Sequence, residues 1–421
     1  MLNGSELTNK RNRILLILVI WVGFLVFGFS ENIKGPAIPR MQSDFSLDEM
    51  QVGMLLALNS LGYLLACSFT GILSRKIGLK AVSQLAFGSM VVSGVLIYFS
   101  ANYTFLSASY FFMYLGNGML EIGLALLAAR VFTTNTGTMM NISHFFYGLS
   151  SMVAPLVATW MMGVPLGGTE IGWRGMYLIM LSLCIIPMLP AFGSRFPSST
   201  VEDSKPISMK QYVKDPAAWL IVLVLSFGVV SELAVGGWLV NYLEKAYKWD
   251  TATASGMLSA FFFCFMLARL LLGPIIDKIG FTQSIIALSF FSGICTLAAI
   301  AIGPSGAFLF ALSGVGIAPI YPTVMALLAK RYPNGADMAI TFTVTMMGIG
   351  SVIGNFVIGW ITEGFKQLFT SSQGPDTGLV VGLQAGYAFI GICALLCGIT
   401  AILLLRYERK TITSAAVVDG L

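Results

Sequence analysis

The feature that most constrains this chain is a series of long apolar runs that contain no Asp, Glu, Lys or Arg. A helix that crosses a bilayer needs about 20 mostly apolar residues, and every run reaches that length. Only helices and closed barrels satisfy the backbone in lipid, and barrel strands alternate over about 10 residues. The runs are too long for such strands, so we predict spanning helices. The runs cover residues 50–74, 81–120, 131–169, 175–194, 279–329, 338–362 and 377–405.

The composition excludes several other classes of protein. Only 10% of the 421 residues are charged and 57% are hydrophobic, whereas a soluble domain has roughly 25% charged residues. A soluble enzyme of this length could not cover its surface with so few charges. The net charge of +5 is scattered over short loops and forms no stripe that would bind nucleic acid. We therefore predict a protein of the lipid bilayer, with no nucleic-acid partner.

Polar and turn-forming segments divide the chain into twelve predicted helices. Ser46–Glu49 reads as a capping box at the start of the second helix. A polar, proline-containing segment separates the sixth helix from the seventh, and it predicts a cytoplasmic linker over 195–215 between a bundle at 1–194 and a bundle at 216–421. The predicted helices are 14–39, 48–74, 80–101, 104–132, 138–162, 174–192, 216–244, 251–276, 281–302, 305–331, 336–362 and 380–406.

The positions of Lys and Arg predict the orientation of the chain. Basic residues concentrate in alternate loops, for example Arg75, Lys76 and Lys80 after the second helix. Because basic loops stay on the cytoplasmic side of a membrane, we expect a multi-pass protein of the cell membrane with both termini in the cytoplasm.

Two internal repeats relate the halves of the chain. The segment Gly71–Gly78 (Gly-Ile-Leu-Ser-Arg-Lys-Ile-Gly) recurs at Gly273–Gly280 as Gly-Pro-Ile-Ile-Asp-Lys-Ile-Gly, and Leu126–Arg130 recurs at Leu327–Arg331 with nearly the same offset. A common offset at two places indicates a duplication. The predicted fold is all-α and membrane-embedded, with twelve transmembrane helices in two pseudo-symmetric six-helix bundles.

The repeated loop resembles the signature of the major facilitator superfamily. That family has Gly-x-x-x-Asp-Arg/Lys-x-Gly after the second helix and a weaker copy after the eighth. The second copy matches here through Gly273, Asp277 and Gly280, whereas the first copy has Arg75 in place of the acid. The resemblance implies the major facilitator fold and a transporter rather than an enzyme.

Such loops are expected to take part in gating. We predict that Gly71 and Gly78 let helices approach closely and that Asp277 pairs with Arg331 as a latch. The alternative is an ordinary turn at the membrane surface, whose charges serve only the topology.

Further motifs resemble the fucose–galactose–glucose/proton symporter group. In that group an acid on the fourth helix is implicated in proton coupling, and Glu121 occupies the matching position. Fucose permease also has an acid near the end of the first helix, where this chain has Gly35, with Glu31 one turn earlier. The motifs are Gly116–Glu121, Asn141–Gly148, Glu232–Tyr242 and Gly314–Pro322.

Ionisable residues inside spanning helices are candidates for function, because inserting one costs about 2.5–3.5 kcal/mol. Glu121 stands far from other ionisable residues in the sequence and is the first candidate for proton coupling. His144 is the single histidine and titrates near neutral pH. Glu31 and Glu232 complete the predicted coupling set. The alternative for Glu121 is a protonated carboxyl that only joins two helices by a hydrogen bond, and for His144 it is a packing role. Glu31 could be part of a structural ion pair, and Glu232 could instead accept a hydrogen bond from a sugar hydroxyl.

Two further charges have expected positions. Glu31 and Lys34 are three residues apart and can pair on one helix face, either as a fixed ion pair or as one that a substrate or proton opens. Arg269 lies four residues before Gly273, and we expect it to reach the cytoplasmic surface or join the latch.

Binding of a sugar requires hydrogen-bonding groups for the hydroxyls and a flat apolar surface for the ring. Amide and aromatic side chains of this kind occur on the predicted helices 1, 5, 7, 10 and 11, although any single aromatic residue could equally face lipid. The predicted substrate-binding set is Asn32, Asn141, Tyr147, Trp238, Asn241, Tyr242, Tyr321 and Asn355.

The predicted function is proton-coupled symport of a small neutral solute, a monosaccharide, by alternating access. The alternative is a drug/proton antiporter, but the glycine-rich motif that such proteins carry on the fifth helix is missing around Ser151–Ala158. Protons and the solute are the expected partners of a monomeric chain, and no cofactor or metal is predicted.

Overall fold

The computed structural model describes residues 10–132, 136–197, 209–332 and 336–418. Within these ranges, twelve helical segments are long and apolar enough to cross a membrane, as the sequence predicts. We number them spans 1 to 12. They are Lys10–Phe45, Glu49–Ile77, Leu79–Tyr98, Tyr103–Ala128, Ile142–Met162, Gly172–Gly193, Pro216–Ala246, Thr251–Leu271, Phe281–Ile302, Phe308–Leu328, Met338–Gln373 and Pro375–Lys410.

Three of the spans consist of two consecutive helices. Span 1 contains Lys10–Asn32 and Lys34–Phe45, span 6 contains Gly172–Ser182 and Ile185–Gly193, and span 10 lies within Phe308–Ile317 and Ile320–Arg331. Besides the helix Ile320–Arg331, four helices continue beyond their spans, and short elements occur between spans. The extended helices are Tyr103–Val131, Thr136–Met162, Ala336–Gln373 and Pro375–Val418; the short elements are helices Met209–Tyr212 and Gly273–Ile279, the 3-10 turn Pro304–Gly306 and the two-residue strands Pro165–Leu166 and Thr169–Glu170.

The chain divides into two compact units. Unit 1 comprises Met1–Glu202, Leu239–Glu244 and Lys248–Ser259, and unit 2 comprises Asp203–Trp238, Lys245–Tyr247 and Ala260–Leu421. The end of span 7 and the beginning of span 8 therefore belong to unit 1.

Small residues let helices within each unit approach closely. In unit 1, a Cβ atom at Gly62 of span 2 would lie 2.6 Å from the carbonyl oxygen of Phe111 in span 4. In unit 2, a Cβ atom at Gly314 of span 10 would lie 2.6 Å from the carbonyl oxygen of Phe261 in span 8. Association of helices in lipid depends on such packing rather than on the hydrophobic effect, so these positions fix how the spans face one another inside each unit.

The residue that caps the second span lies two positions later than the sequence predicts. Asp48, not Ser46, caps the helix: its carboxylate accepts from the Gln51 backbone N–H at 2.7 Å, and the Gln51 side chain accepts from the Asp48 N–H at 2.9 Å. Ser46 instead has a left-handed backbone, with φ of 51°, and ends the preceding helix. An aspartate cap with glutamine three residues later is the same reciprocal arrangement, displaced along the chain.

Candidate functional site

A buried ion pair in span 1 is the first cluster of interest. The break between helices Lys10–Asn32 and Lys34–Phe45 lies between Glu31 and Lys34, which form the salt bridge that their spacing predicts. Span 4 supplies the remaining partners: Asn117 donates to the Glu31 carboxylate at 2.9 Å, and Lys34 Nζ lies 3.1 Å from the Tyr114 hydroxyl. Ser30 donates to the Asn117 side-chain oxygen at 2.7 Å.

This cluster joins spans 1 and 4 through buried charged side chains. Glu31 is 8% exposed, Lys34 is 5% exposed and Asn117 is fully buried. Removing one partner from a buried ion pair costs about 3–5 kcal/mol, because the other charge is left uncompensated. The pair can therefore open only when a proton, a solute group or another side chain replaces the lost partner.

Glu121 lies one helical turn beyond Asn117 on span 4, so the two side chains share a face of the helix. Its carboxylate accepts a hydrogen bond from the Tyr63 hydroxyl of span 2, and its side chain is half-buried. A half-buried carboxylate that accepts a hydrogen bond from a phenol can take up and release a proton, which suits the coupling role predicted from the sequence.

The other predicted residues of spans 1 and 5 lie against aromatic rings or backbone. His144 is exposed and its ring lies 5.2 Å from that of Phe24. The Tyr147 ring lies 5.0 Å from that of Phe27. Asn32 is buried, and its amide nitrogen donates both to the Gly28 carbonyl and to the Ser151 hydroxyl at 2.9 Å. The Asn141 side chain falls outside the part of the chain that the structure describes.

Unit 2 contains a second ion pair within the spans. Arg269 of span 8 lies 3.5 Å from the Glu232 carboxylate of span 7, and its Nε donates to the Ala318 carbonyl of span 10 at 3.0 Å. Its guanidinium also lies 4.2 Å from the centre of the Phe265 ring. The expectation that Arg269 joins the loop latch is wrong, because its donors are used by a carboxylate and a carbonyl on neighbouring spans. Its expected position at the cytoplasmic surface stays a prediction.

The Ala318 carbonyl needs this donor because of proline. In a continuous helix it would accept from the backbone N–H four residues later, but that residue is Pro322, which has no N–H. Span 10 is interrupted there, between Ile317 and Ile320. Arg269 thus replaces a lost backbone donor at the break and joins it to Glu232.

The remaining predicted binding residues occupy separate environments. Asn241 is fully buried and donates to Glu49 at 3.2 Å. Trp238 is buried, and its indole N–H has no hydrogen-bond acceptor among the described residues. Asn355 donates to the Ser351 carbonyl at 3.3 Å. Tyr242 is buried and Tyr321 is half-buried.

The loop glycines differ from their predicted role. A Cβ atom at Gly71 or Gly78 would meet nothing within 4 Å, so the expected close approach of helices does not occur there. Gly78 has φ of 87° and its repeat counterpart Gly280 has φ of 101°, conformations that favour glycine because it lacks a Cβ. The repeated loop therefore conserves a backbone turn between consecutive spans.

The predicted pairing of Asp277 with Arg331 is wrong. Among the described residues, no ion pair joins them; Arg331 lies 3.5 Å from Asp215 and 3.3 Å from Glu408. Tyr332 completes this cluster by donating to Asp215 at 2.6 Å. Asp277 is exposed on the short helix Gly273–Ile279, whereas Arg331 is the last residue of its helix and meets the segment before span 7 and the end of span 12.

The contacts within this cluster shift the pKa values of Arg331 and Tyr332. Burial alone lowers the pKa of Arg331, but the hydrogen bond with Tyr332 and the charges of Asp215 and Glu408 outweigh it and raise that pKa. Burial raises the pKa of Tyr332, and its hydrogen bond to Asp215 raises it further. Both groups are thus held in the protonated form.

Sequence reasoning missed Tyr63, Asn117 and the role of Arg269. One available signal was the repeat itself, because Ser30-Glu31 in span 1 corresponds to Ser231-Glu232 in span 7, and a glycine follows each acid four residues later. The structure pairs each acid with a cation of its own unit. No group of three or more His, Cys, Asp or Glu side chains that could hold a metal ion occurs in the described ranges.

Comparison with known proteins agrees with this architecture. The chain is 21% identical over 365 residues to the Protein TsgA homolog of Buchnera aphidicola (84% of this chain, 90% of the relative). It is 21% identical over 404 residues to the L-fucose-proton symporter of Escherichia coli (87% and 91%).

Solved structures show the same fold. A bacterial homolog of the human lysosomal transporter Spinster, in an inward-facing and unoccupied conformation, superposes with a TM-score of 0.78 at 13% identity and covers 94% of this chain and 98% of that one. The family model named Major Facilitator Superfamily matches residues 20–354 and 230–418. With its twelve helices and nearly full-length match, the chain belongs to the Major Facilitator Superfamily.

Proposed function

We propose that this protein is a proton-coupled symporter that carries a small neutral solute of the monosaccharide class across the cell membrane by alternating access. Its two moving parts in this proposal are the bundles at 1–194 and 216–421, which are joined by the linker at 195–215. Both termini lie in the cytoplasm. Glu121 is the proton-coupling residue, with Glu31, Glu232 and His144 as further titrating groups.

The observation that carries the proposal is the arrangement of charge inside the spans. Glu31 is paired with Lys34, and Glu232 is paired with Arg269. A charged solute would have to compete with these pairs, whereas a neutral one would not. Glu121 accepts a hydrogen bond from the neutral Tyr63 hydroxyl, so protonation there changes the local charge inside the spans.

The sugar class rests on the supply of hydroxyl-binding groups. Side-chain amides within the spans come from Asn32, Asn241 and Asn355. The indole N–H of Trp238 has no hydrogen-bond acceptor among the described residues. The named similarity to an L-fucose-proton symporter supports the same class. Membership of the fucose–galactose–glucose/proton symporter group, which the sequence motifs resemble, is part of this proposal.

Uptake by reconstituted protein tests the proposal. Purified protein in proteoliposomes would be given labelled L-fucose, D-glucose or D-mannose with and without an inward proton gradient. One pH unit corresponds to 1.36 kcal/mol, and so supports about tenfold accumulation for one proton per solute. We expect Glu121→Gln to abolish this accumulation while leaving exchange of solute between equal concentrations intact, because the neutral amide mimics the protonated acid.

The matched control is Glu170→Gln, which removes a carboxylate from an exposed strand outside the spans. It should leave both accumulation and exchange unchanged. Flux that ignores the gradient, or full coupling in Glu121→Gln, would contradict the mechanism. Expulsion of dyes on acidification together with no sugar uptake would favour the drug/proton antiporter instead.

A further inference from the structure

Asn59 in span 2 is a buried amide that the proposed mechanism does not use. Its side chain is 2% exposed, and neither its oxygen nor its nitrogen has a hydrogen-bond partner among the described residues. Buried polar groups are almost always hydrogen-bonded, since leaving one unpaired forfeits its hydration without return. An enclosed amide with two open positions therefore indicates a partner other than the protein.

The helical positions around Asn59 show which neighbour it faces. A Cβ atom at Gly62 would lie 2.6 Å from the Phe111 carbonyl, and a Cβ atom at Gly118 would lie 2.8 Å from the Ala66 Cβ. At about 100° per residue, Asn59 projects between the directions of Gly62 and Tyr63, close to that of Ala66. Asn59 is thus in the middle of the stripe that span 2 turns toward span 4.

Span 4 presents a second polar group to the same interface. Ser107 lies one turn before Phe111 on the stripe that faces span 2 and is 8% exposed. Its neighbour for hydrogen bonding is the Tyr103 side chain, and because a hydroxyl both donates and accepts, it keeps capacity for a second partner. The Tyr103 hydroxyl donates to the Gln51 carbonyl at 2.9 Å. Spans 2 and 4 therefore run in the same direction, and Asn59 and Ser107 both fall between the Gln51–Tyr103 contact and the Gly62–Phe111 contact.

We propose that Asn59 and Ser107 form a binding site for a hydroxyl group between spans 2 and 4. Asn59 supplies a donor and an acceptor, and Ser107 supplies either. A buried water makes two to four such bonds, and a sugar hydroxyl has the same capacity. Water and a solute hydroxyl are thus two sources of one chemistry.

The position of the site gives it a role in proton exchange with Glu121. This role rests on the proposed function. Tyr63 follows Asn59 by one helical turn on the same face and donates to Glu121. A hydroxyl held at Asn59 therefore lies next to the phenol that binds the coupling acid, where it would assist proton exchange with Glu121.

Hydroxyl-radical labelling of the reconstituted, full-length protein tests the site, because radicals formed from ordered water oxidise the adjacent side chains. The test variant is Asn59→Leu/Ser107→Ala, which keeps the volume and removes the polar atoms, a replacement that can be nearly neutral for stability. The control is Ser68→Ala on the exposed face of span 2, where the hydroxyl bonds only its own helix. Unfolding temperatures confirm that all three proteins are folded.

We expect oxidation of Tyr63 and Phe111 to fall in the double variant, because the bound water that generates the radicals is lost, and to stay unchanged in Ser68→Ala. If L-fucose or D-glucose lowers the oxidation of the same residues in the parent protein, the bound hydroxyl belongs to the solute. If neither sugar changes the oxidation, the bound hydroxyl belongs to water. Equal oxidation in the double variant and the parent overturns the site. Because labelling requires no transport, absence of uptake by the parent protein would refute the proposed function and leave this result standing.

Discussion

Arg269 performs two tasks that can be separated by mutation. It balances the Glu232 charge at 3.5 Å and satisfies the Ala318 carbonyl at 3.0 Å. At an effective dielectric constant of 20, the attraction between the two charges is about 5 kcal/mol. Desolvation offsets most of it, and both side chains retain some exposure, 28% for Arg269 and 16% for Glu232. Measured couplings inside membrane proteins reach about 1.7 kcal/mol, so we expect about 1–2 kcal/mol for the pair.

A double-mutant cycle measures this coupling. The free energy of unfolding of Arg269→Gln, Glu232→Gln and the double variant would be determined in mixed micelles by titration with a denaturing detergent. Arg269→Gln should cost about 3 kcal/mol, since a carbonyl and a carboxylate both lose a charged donor. Glu232→Gln should cost less, because Arg269 keeps the Ala318 bond. The double variant should cost about as much as Arg269→Gln alone.

Pro322→Ala isolates the second task, because it returns a backbone N–H to the position that the Ala318 carbonyl would use in a continuous helix. In that background, the cost of Arg269→Gln should fall by about 1.5–2 kcal/mol, the lower part of the range for one hydrogen bond to a charged group. Strictly additive costs in the first cycle, together with an unchanged cost of Arg269→Gln beside Pro322→Ala, would refute the assignment of both tasks.

Three further outcomes follow from the described contacts. Lys34→Met should destabilise the protein by about 3–5 kcal/mol, and adding Glu31→Gln should recover most of that loss in the same unfolding assay; no recovery would mean that the pair is not the source. The pKa of Tyr332 is raised above its ordinary value of 10.0, so its contribution to stability is complete below pH 10 and declines as the pH rises above that value; Tyr332→Phe should flatten the alkaline part of the stability profile, and an unchanged profile would contradict the contact. A single cysteine at Arg75 in a chain cleared of its six native cysteines should react with an impermeant thiol reagent only from the cytoplasmic side, and labelling from outside would invert the topology.

The apolar segments and the polar turns between them were sufficient to predict the twelve spans, since the insertion of a helix depends on its own length and polarity. The bond between Glu31 and Lys34 was equally predictable, because the partners are three residues apart and Ile33 at the break keeps a right-handed helical backbone. The partner of Arg331 was not predictable in this way. The sequence suggested Asp277 because that residue belongs to the repeated loop Gly273–Gly280. Asp215 and Glu408 are far from Arg331 in the sequence, and only the packing of their helices brings the three side chains together.

The sequence by itself determined the class of this protein: a duplicated chain of apolar helices, with few ionisable groups in their interior. The tertiary structure decided what those groups do. Arg269 replaces the donor missing beside Pro322, Tyr63 binds Glu121, and neither polar atom of the enclosed Asn59 amide has a partner in the part of the chain that the structure describes. The physical reason is that hydropathy is a property of each segment, whereas a hydrogen bond between spans depends on how two helices are rotated and aligned against each other.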